Sequence, residues 1–190
     1  MLAGHFALAA GVKAREPQVP LWAVMVATQL LDVGFVPLYL SGIETIVPVG
    51  AGGYGGGIIH ANYTHSLVGA LILSALAAGF GLWRWGRRAG VVLGAVTFSH
   101  WVLDLLVHRA DLPWLPGNWG NFPTLGLGLW QISWLAAVAE LALIVVGTVL
   151  YGRSLANVGN RGPVAKGVVT GLMGLLLVAL LAADWFGIGG

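Results

Sequence analysis

Apolar residues in this chain come in long blocks, separated by short clusters of arginine, lysine, proline and glycine. Residues 2–12 form a first apolar stretch that ends at Lys13, Arg15 and Pro17. A crossing helix needs about 20 residues, so this stretch predicts a half-spanning or interfacial helix. Residues 18–40 predict the first full span, with Pro20 in its first turn and Pro37 expected to kink or end it. Further spans are predicted over about 64–83, 89–108, 126–151 and 164–183, the last ending at Asp184-Trp185. Two stretches interrupt the pattern. Residues 41–59 read as a glycine-rich loop holding Gly50, Gly52, Gly53, Gly55, Gly56 and Gly57. It lacks phosphate-loop spacing and a following Lys-Ser or Lys-Thr, which argues against a nucleotide site. Residues 109–125 carry Pro113, Trp114, Pro116, Trp119 and Pro123 and read as a loop with interfacial tryptophans. The expected fold class is therefore all-α: a polytopic membrane bundle of about five transmembrane helices plus a short N-terminal half-helix, in one domain over 1–190.

Composition agrees with a bilayer. Of the 190 residues, 58% are hydrophobic and only 8% are charged, against about a quarter in a typical soluble domain. A soluble fold cannot bury that much apolar surface behind so few charges, whereas a bilayer lets the outside be apolar too. There is no cysteine, which removes disulfides and thiolate metal sites. The net charge of +2 is too small to point to nucleic acid. The start, Met1-Leu2-Ala3-Gly4-His5, lacks the basic region of a cleaved signal, so the first helix is expected to be retained.

Charge also predicts topology. Lys13 and Arg15 precede span one, Arg84, Arg87 and Arg88 separate spans two and three, and Arg153, Arg161 and Lys166 separate spans four and five. Alternating crossings put these eight of the nine basic residues on one side, the cytoplasmic one, and leave only Arg109 opposite. The expected location is a prokaryotic inner membrane, with loops 41–59 and 109–125 outside.

Against this background five residues stand out: Asp32, His65, His100, Asp104 and His108 lie within or at the ends of apolar spans. Such groups cost several kcal/mol if buried without partners. At about 1.5 Å per residue, Asp32 lies about 21 Å up its span, His100 about 17 Å and Asp104 about 22 Å, while His65 lies about 6 Å below the opposite end of its own. His5, about 12 Å up the half-helix, can join from below if that helix tilts inward. Separate helices thus deliver polar groups to one level. His100, Asp104 and His108 are spaced by four and share a helix face. Imidazole and carboxylate together suit zinc and similar divalent ions. The spacing leaves three readings open: a metal site, a metal-free proton or ion pathway, and structural pairing. Glu140, inside span four, is a candidate partner of the cluster or of a neighbouring helix. Arg109 and Asp111 are expected near the mouth of the cavity, where Arg109 suits either an anionic head group or interfacial snorkelling.

His60-x3-Thr64-His65-Ser66 followed by Ser99-His100-x2-Leu103-Asp104 resembles the signature of the YdjM-like membrane-bound metal-dependent hydrolases. So does the early His5-Phe6-x2-Ala9-x-Gly11 and the aspartate in the next helix. The likeness covers about residues 1–125. Ala61-Asn62 stand where the family has Arg-Gly, and Leu31-Asp32-Val33-Gly34 carries one carboxylate where a Pro-Asp-x-Asp is usual. The family is thought to be distantly related to zinc phospholipase C and related zinc nucleases, which cleave phosphate esters. The resemblance implies His5, Asp32, His60 or His65, His100 and Asp104 as metal ligands. The leading expectation is a membrane-embedded hydrolase holding one or two divalent ions, most plausibly Zn2+, with Asp32 or His108 as general base or water-orienting group. Its expected partners are membrane lipids and a lipid or lipid-linked phosphoester. The alternative is a metal-ion or proton transporter built on the same side chains.

Overall fold

The structure, a computed structural model, describes residues 1–49, 53–156 and 162–188. Gly50 and Gly52 of the glycine-rich loop, and Asn157, Asn160 and Arg161 of the last polar turn, lie outside the described residues. Among the described residues there are seven α-helices: α1 (Leu2–Arg15), α2 (Leu21–Thr28), α3 (Leu30–Leu40), α4 (Leu67–Trp85), α5 (Arg87–Val107), α6 (Ser133–Ala156) and α7 (Pro163–Trp185). α4, α5, α6 and α7 are long and apolar enough to cross a membrane, and the bent pair α2–α3 makes a fifth such span. The protein is an all-α bundle of a membrane-spanning kind.

Three local differences from the sequence pattern have physical causes. First, span one bends by 49° at Gln29, between α2 and α3, rather than at Pro37. Side chains of α5 take the carbonyls there: Thr97 Oγ1 donates to Ala27 O at 3.0 Å and His100 Nδ1 meets Thr28 O at 2.6 Å. Groups inserted into the helical ladder in this way kink a helix. Pro37 sits inside α3, one turn from its end, and withholds only its own absent donor. Second, the 41–59 stretch is not all loop. β1 (Thr45–Pro48) and β2 (Gly57–His60) pair antiparallel, with Thr45 opposite His60 and Pro48 opposite Gly57. Third, the fourth long helix begins at Ser133 rather than 126. Gly126 and Gly128 have positive φ, and a single 3-10 turn over Leu129–Ile132 leads into α6.

α5 packs against α4 on one side and α2 on the other, and α1 lies between α2 and α6, with α7 outermost against α6 and α1. α4 and α5 approach closely: a Cβ on Gly90 would lie 2.8 Å from Ala78 O, and one on Gly94 would lie 2.9 Å from Ala78 Cβ. The similar Gly167-x3-Gly171 pattern faces no neighbour within 4 Å, so it serves no close packing among the described residues. α1 runs parallel to α6, since Gly4 faces Glu140 and Leu143 while Gly11 faces Gly147 and Leu150. The basic end of α1 therefore lies at the Arg153 end of α6. Arg88 reaches back to Glu16 through two hydrogen bonds of 2.7 and 3.0 Å, bringing the α4–α5 turn to that same end. The basic clusters thus share one end of the bundle, and the hairpin β1–β2 lies toward the other.

Candidate metal centre

Side chains from four elements meet along the last two turns of α5. His5 comes from α1, Asp32 from α3, His65 from the turn before α4, and His100 and Asp104 from successive turns of α5. His5, His65, His100, Asp104 and His108 are all buried. Asp104 is the hub. Its Oδ1 lies 3.1 Å from His5 Nε2, and its Oδ2 lies 3.1 Å from His100 Nε2, 3.6 Å from His65 Nε2 and 3.8 Å from His108 Nε2. Asp32 Oδ1 lies 3.3 Å from His65 Nε2 and 3.6 Å from His100 Nε2. His5 and His100 stack, with ring centroids 3.7 Å apart. Two sets, His5–His100–Asp104 and Asp32–His65–His100, each bring one donor atom per residue within 4.8 Å of the others, as a metal site requires.

The far side of each ring decides what faces inward. His100 Nδ1 meets the Thr28 carbonyl, which can only accept, so this nitrogen carries the proton. His108 Nδ1 lies 2.9 Å from Asp111 Oδ1, with the same consequence if the carboxylate is ionised. Thr64 Oγ1 spends its single proton on Glu44, 2.9 Å away, so it accepts from His65 Nδ1 at 2.9 Å. Three imidazoles are thereby fixed with Nδ1–H outward and Nε2 turned toward two carboxylates. His100 Nε2 makes no hydrogen bond despite its closeness to Asp104. Lone pairs facing carboxylate oxygens repel, and only a cation, either a metal or protons on the rings, reconciles them. Oriented imidazoles backed by an outer acceptor are the usual surroundings of a metal-bound histidine. The residues present fit a divalent cation.

The break at Gln29 is what frees Thr28 O for His100; in a continuous helix that carbonyl would bond to the amide of Asp32. Ser66 caps α4, its Oγ accepting from Gly69 N at 2.9 Å, and so fixes the turn that carries His65. Trp101 Nε1 holds the His65 carbonyl at 2.9 Å. Trp130, from the 3-10 turn, covers His108 with centroids 4.5 Å apart. Gly55 lets that indole in: its φ is +68°, and a Cβ there would come within 2.6 Å of the Trp130 ring.

Comparison with models of known families, with curated proteins and with solved structures finds no match for this chain. Function is therefore read from geometry and from the sequence pattern.

The sequence-derived candidates divide. His5, Asp32, His65, His100 and Asp104 meet, and His108 borders them. His60 does not join: it is exposed at the end of β2. Ile59 lines the site, and successive strand residues point to opposite faces, so His60 turns away and drops out of the ligand set, leaving His65. Glu140 is not a partner of the cluster. It is buried and accepts from the Gly4 amide at 2.7 Å and the Tyr54 hydroxyl at 2.5 Å. It thus satisfies a free amide in the first turn of α1 within the bundle. Burial, and then the Glu140 carboxylate, push the Tyr54 phenol above its ordinary pKa and keep it a donor. Arg109 donates to the Gly55 carbonyl at 3.3 Å and so holds the glycine loop.

Sequence reasoning missed Glu44. It is fully buried and accepts from the amides of Tyr63 and Thr64 as well as from Thr64 Oγ1. One signal was present: Glu44 is the only charged residue between Asp32 and Arg84.

Access is one-sided. The Asp32 side chain is 42% exposed, whereas those of His65 and Asp104 are 4%. A small cavity of about 90 Å³ at the cluster shares Asp32, Ile59 and Trp130 with a wider one of about 450 Å³ under the hairpin, bordered by Tyr54, Gly55 and Asp184. Toward the basic end, apolar layers close the site: Val24, Ala27, Leu93 and Val96 on one side, Ile144 and Leu177 on the other.

Proposed function

We propose that this protein is a membrane-embedded, metal-dependent hydrolase that cleaves a phosphoester of a lipid or lipid-linked substrate. The observation that carries the reading is the outward-tied pair His65 and His100, whose Nε2 atoms lie with Asp32, Asp104 and His5 in two overlapping donor sets that share His100. Neutral imidazole and carboxylate are donors that zinc prefers, and the absence of thiolates is consistent with a catalytic rather than a structural site. A divalent cation held there supplies Lewis acidity to a bound water and to a phosphoryl oxygen.

The remaining roles belong to the chain. His108 is the base: Asp111 holds its Nδ1–H, which leaves Nε2 at the edge of the cluster to take a proton from water. Asp32 is the carboxylate that a substrate meets first, because it alone of the cluster opens into the cavity. Trp130, Phe35 and Ile59 line the pocket and limit water. The basic end is cytoplasmic by the positive-inside rule, so the hairpin and the opening face outward. A head group would enter beneath the hairpin while its apolar part stays in the bilayer. This reading accords with the resemblance to the YdjM-like hydrolases. Transport through the same groups is the weaker reading, because the apolar layers below the cluster offer no polar path from Glu140 to the basic end among the described residues.

Elemental analysis of freshly purified protein tests the proposal. Wild type is expected to carry divalent metal near stoichiometry, and His100→Ala and Asp104→Ala to lose it. Metal-free wild type would sink the hydrolase reading. Where metal is present, phosphomonoester, phosphodiester and carboxylester lipids are screened with and without chelator. Metal flux across proteoliposomes without turnover of any of these would favour transport instead.

A further inference from the structure

A second feature lies away from the metal centre and is independent of the hydrolytic reading. Between α2–α3 and α4, over α5, runs an apolar groove of about 290 Å³. Trp22, Val26 and Leu30 form one wall, Leu76 and Phe80 the other, and Leu93 the floor. From Leu73 to Phe80 it follows α4 for about 10 Å. Its inner end stops at Leu31, Ala70 and Trp101, which pack between it and the His65 turn. At its other end, the basic end of the bundle, stands an aromatic and basic mouth. Trp85 meets Trp22 and Phe80 edge-on, with centroids 5.6 and 5.5 Å apart, and the Arg84 guanidinium lies 5.5 Å over the Trp85 ring. Arg87 follows across the Gly86 turn. Arg88 is engaged by Glu16, but Arg84 and Arg87 are exposed and have no carboxylate partner among the described residues.

The shape and chemistry select the occupant. A volume of about 290 Å³ spread over about 10 Å leaves a cross-section of about 29 Å², far less than that of a helix about 10 Å across. An extended peptide would bring backbone polar groups to a wall that offers them no partner. A hydrocarbon chain fits such a wall, and charge at one end only calls for an amphiphile with a negative head. We infer that this groove is a binding site for an anionic phospholipid, with one acyl chain lying between α2 and α4 and the head group held by Arg84 and Arg87. The site is separate from the metal centre and fastens α2, which carries the Thr28 carbonyl, to α4.

Bilayers containing chain-spin-labelled phosphatidylglycerol or phosphatidylcholine test this, the readout being the relative association constant of the motionally restricted lipid. Wild type is expected to prefer phosphatidylglycerol, and Arg84→Gln/Arg87→Gln to lose about fivefold of that preference for each arginine removed. Arg153→Gln, at the same end but on α6, is expected to leave it unchanged. Ala77→Phe, and the more exposed Leu76→Trp, fill the groove and are expected to abolish the preference, with helical content by circular dichroism confirming that each variant is folded. Equal association of the two lipids with wild type overturns the inference. So does an equal loss in Arg153→Gln, which indicates a diffuse charge effect, or a preference that survives in both groove-filling variants.

Discussion

α5 and α7 are of similar length, 21 and 23 residues, and both are apolar enough to cross a membrane, yet they do opposite work. α5 buries nine residues, among them His100 and Asp104, whereas α7 buries Leu177 alone. The less apolar of the two is the central one, but hydropathy alone names neither helix's neighbours. The difference lies in neighbours: α5 contacts α1, α2, α3 and α4, while α7 lies mainly against α6 and α1, with Leu181 and Trp185 near its end reaching the cluster of Tyr54 and Trp130. A charged group on α5 meets partners from three other elements, and one on α7 would mostly meet lipid. Polarity inside a membrane is tolerable only where several helices converge, so the polar content of a span reports its centrality.

The contrast can be broken most severely at its hub. Asp104→Asn should abolish metal binding and so eliminate any hydrolytic turnover, measured by elemental analysis and activity, because both carboxylate oxygens are shared among four imidazoles. Removal of an outer partner should do less. Glu44→Gln, which acts through Thr64 on the ligand His65, is expected to weaken metal affinity by about 10- to 100-fold while leaving the fold intact, as read by competition with a chelator. Asp111→Asn, which acts on the base His108, is expected to lower turnover while metal affinity stays near that of wild type. If Glu44→Gln binds metal like wild type, or Asp111→Asn turns over like it, the tautomer argument for that ring fails. Packing gives the next step. Gly90→Ala should cost about 1–3 kcal/mol, since its Cβ would press on the Ala78 carbonyl, whereas Gly171→Ala on α7 should stay within about 0.5 kcal/mol. Unfolding in mixed micelles compares the two, and equal effects would remove the distinction between the helices.

The smallest expected effect lies outside both helices' interiors. Hydrogen bonds from Arg88, and to a lesser degree from Gln18, hold the Glu16 carboxyl below its ordinary value of 4.5. A depressed folded pKa adds stability that is present above the unfolded value and is lost as pH falls through the folded one. The difference in melting temperature between wild type and Arg88→Gln should therefore be small near neutrality and shrink towards zero as pH falls from the ordinary value of 4.5 through the lowered folded one. A difference that persists in acid would mean that Arg88 acts through packing.

Hydropathy placed α4, α5 and α7 to within about three residues at each end, because span length is set by the bilayer, but it began the fourth span seven residues early. The His100–Asp104 turn was legible too, because fourfold spacing means a shared face. The bend at Gln29 was not, since its cause sits on another helix, in Thr97 and His100. The hairpin hid in a glycine-rich run, and with it the reason His60 turns away while Ile59 turns in. Glu44 escaped because its role depends on two amides and a hydroxyl brought to it by the turn before α4. Glu140 was visible as an oddity, but its partners lie 136 and 86 residues away.

That distance has a consequence for biogenesis. α1 has 14 residues, too few to cross a bilayer unaided, and its first-turn amide at Gly4 is satisfied by a carboxylate that leaves the ribosome well over a hundred residues later. The His5 imidazole thus cannot take its final position until α6 has been delivered and has captured α1. Nascent chains shorter than about 140 residues would hold the other side chains of the cluster without His5, so the cluster is completed only once α6 is in place.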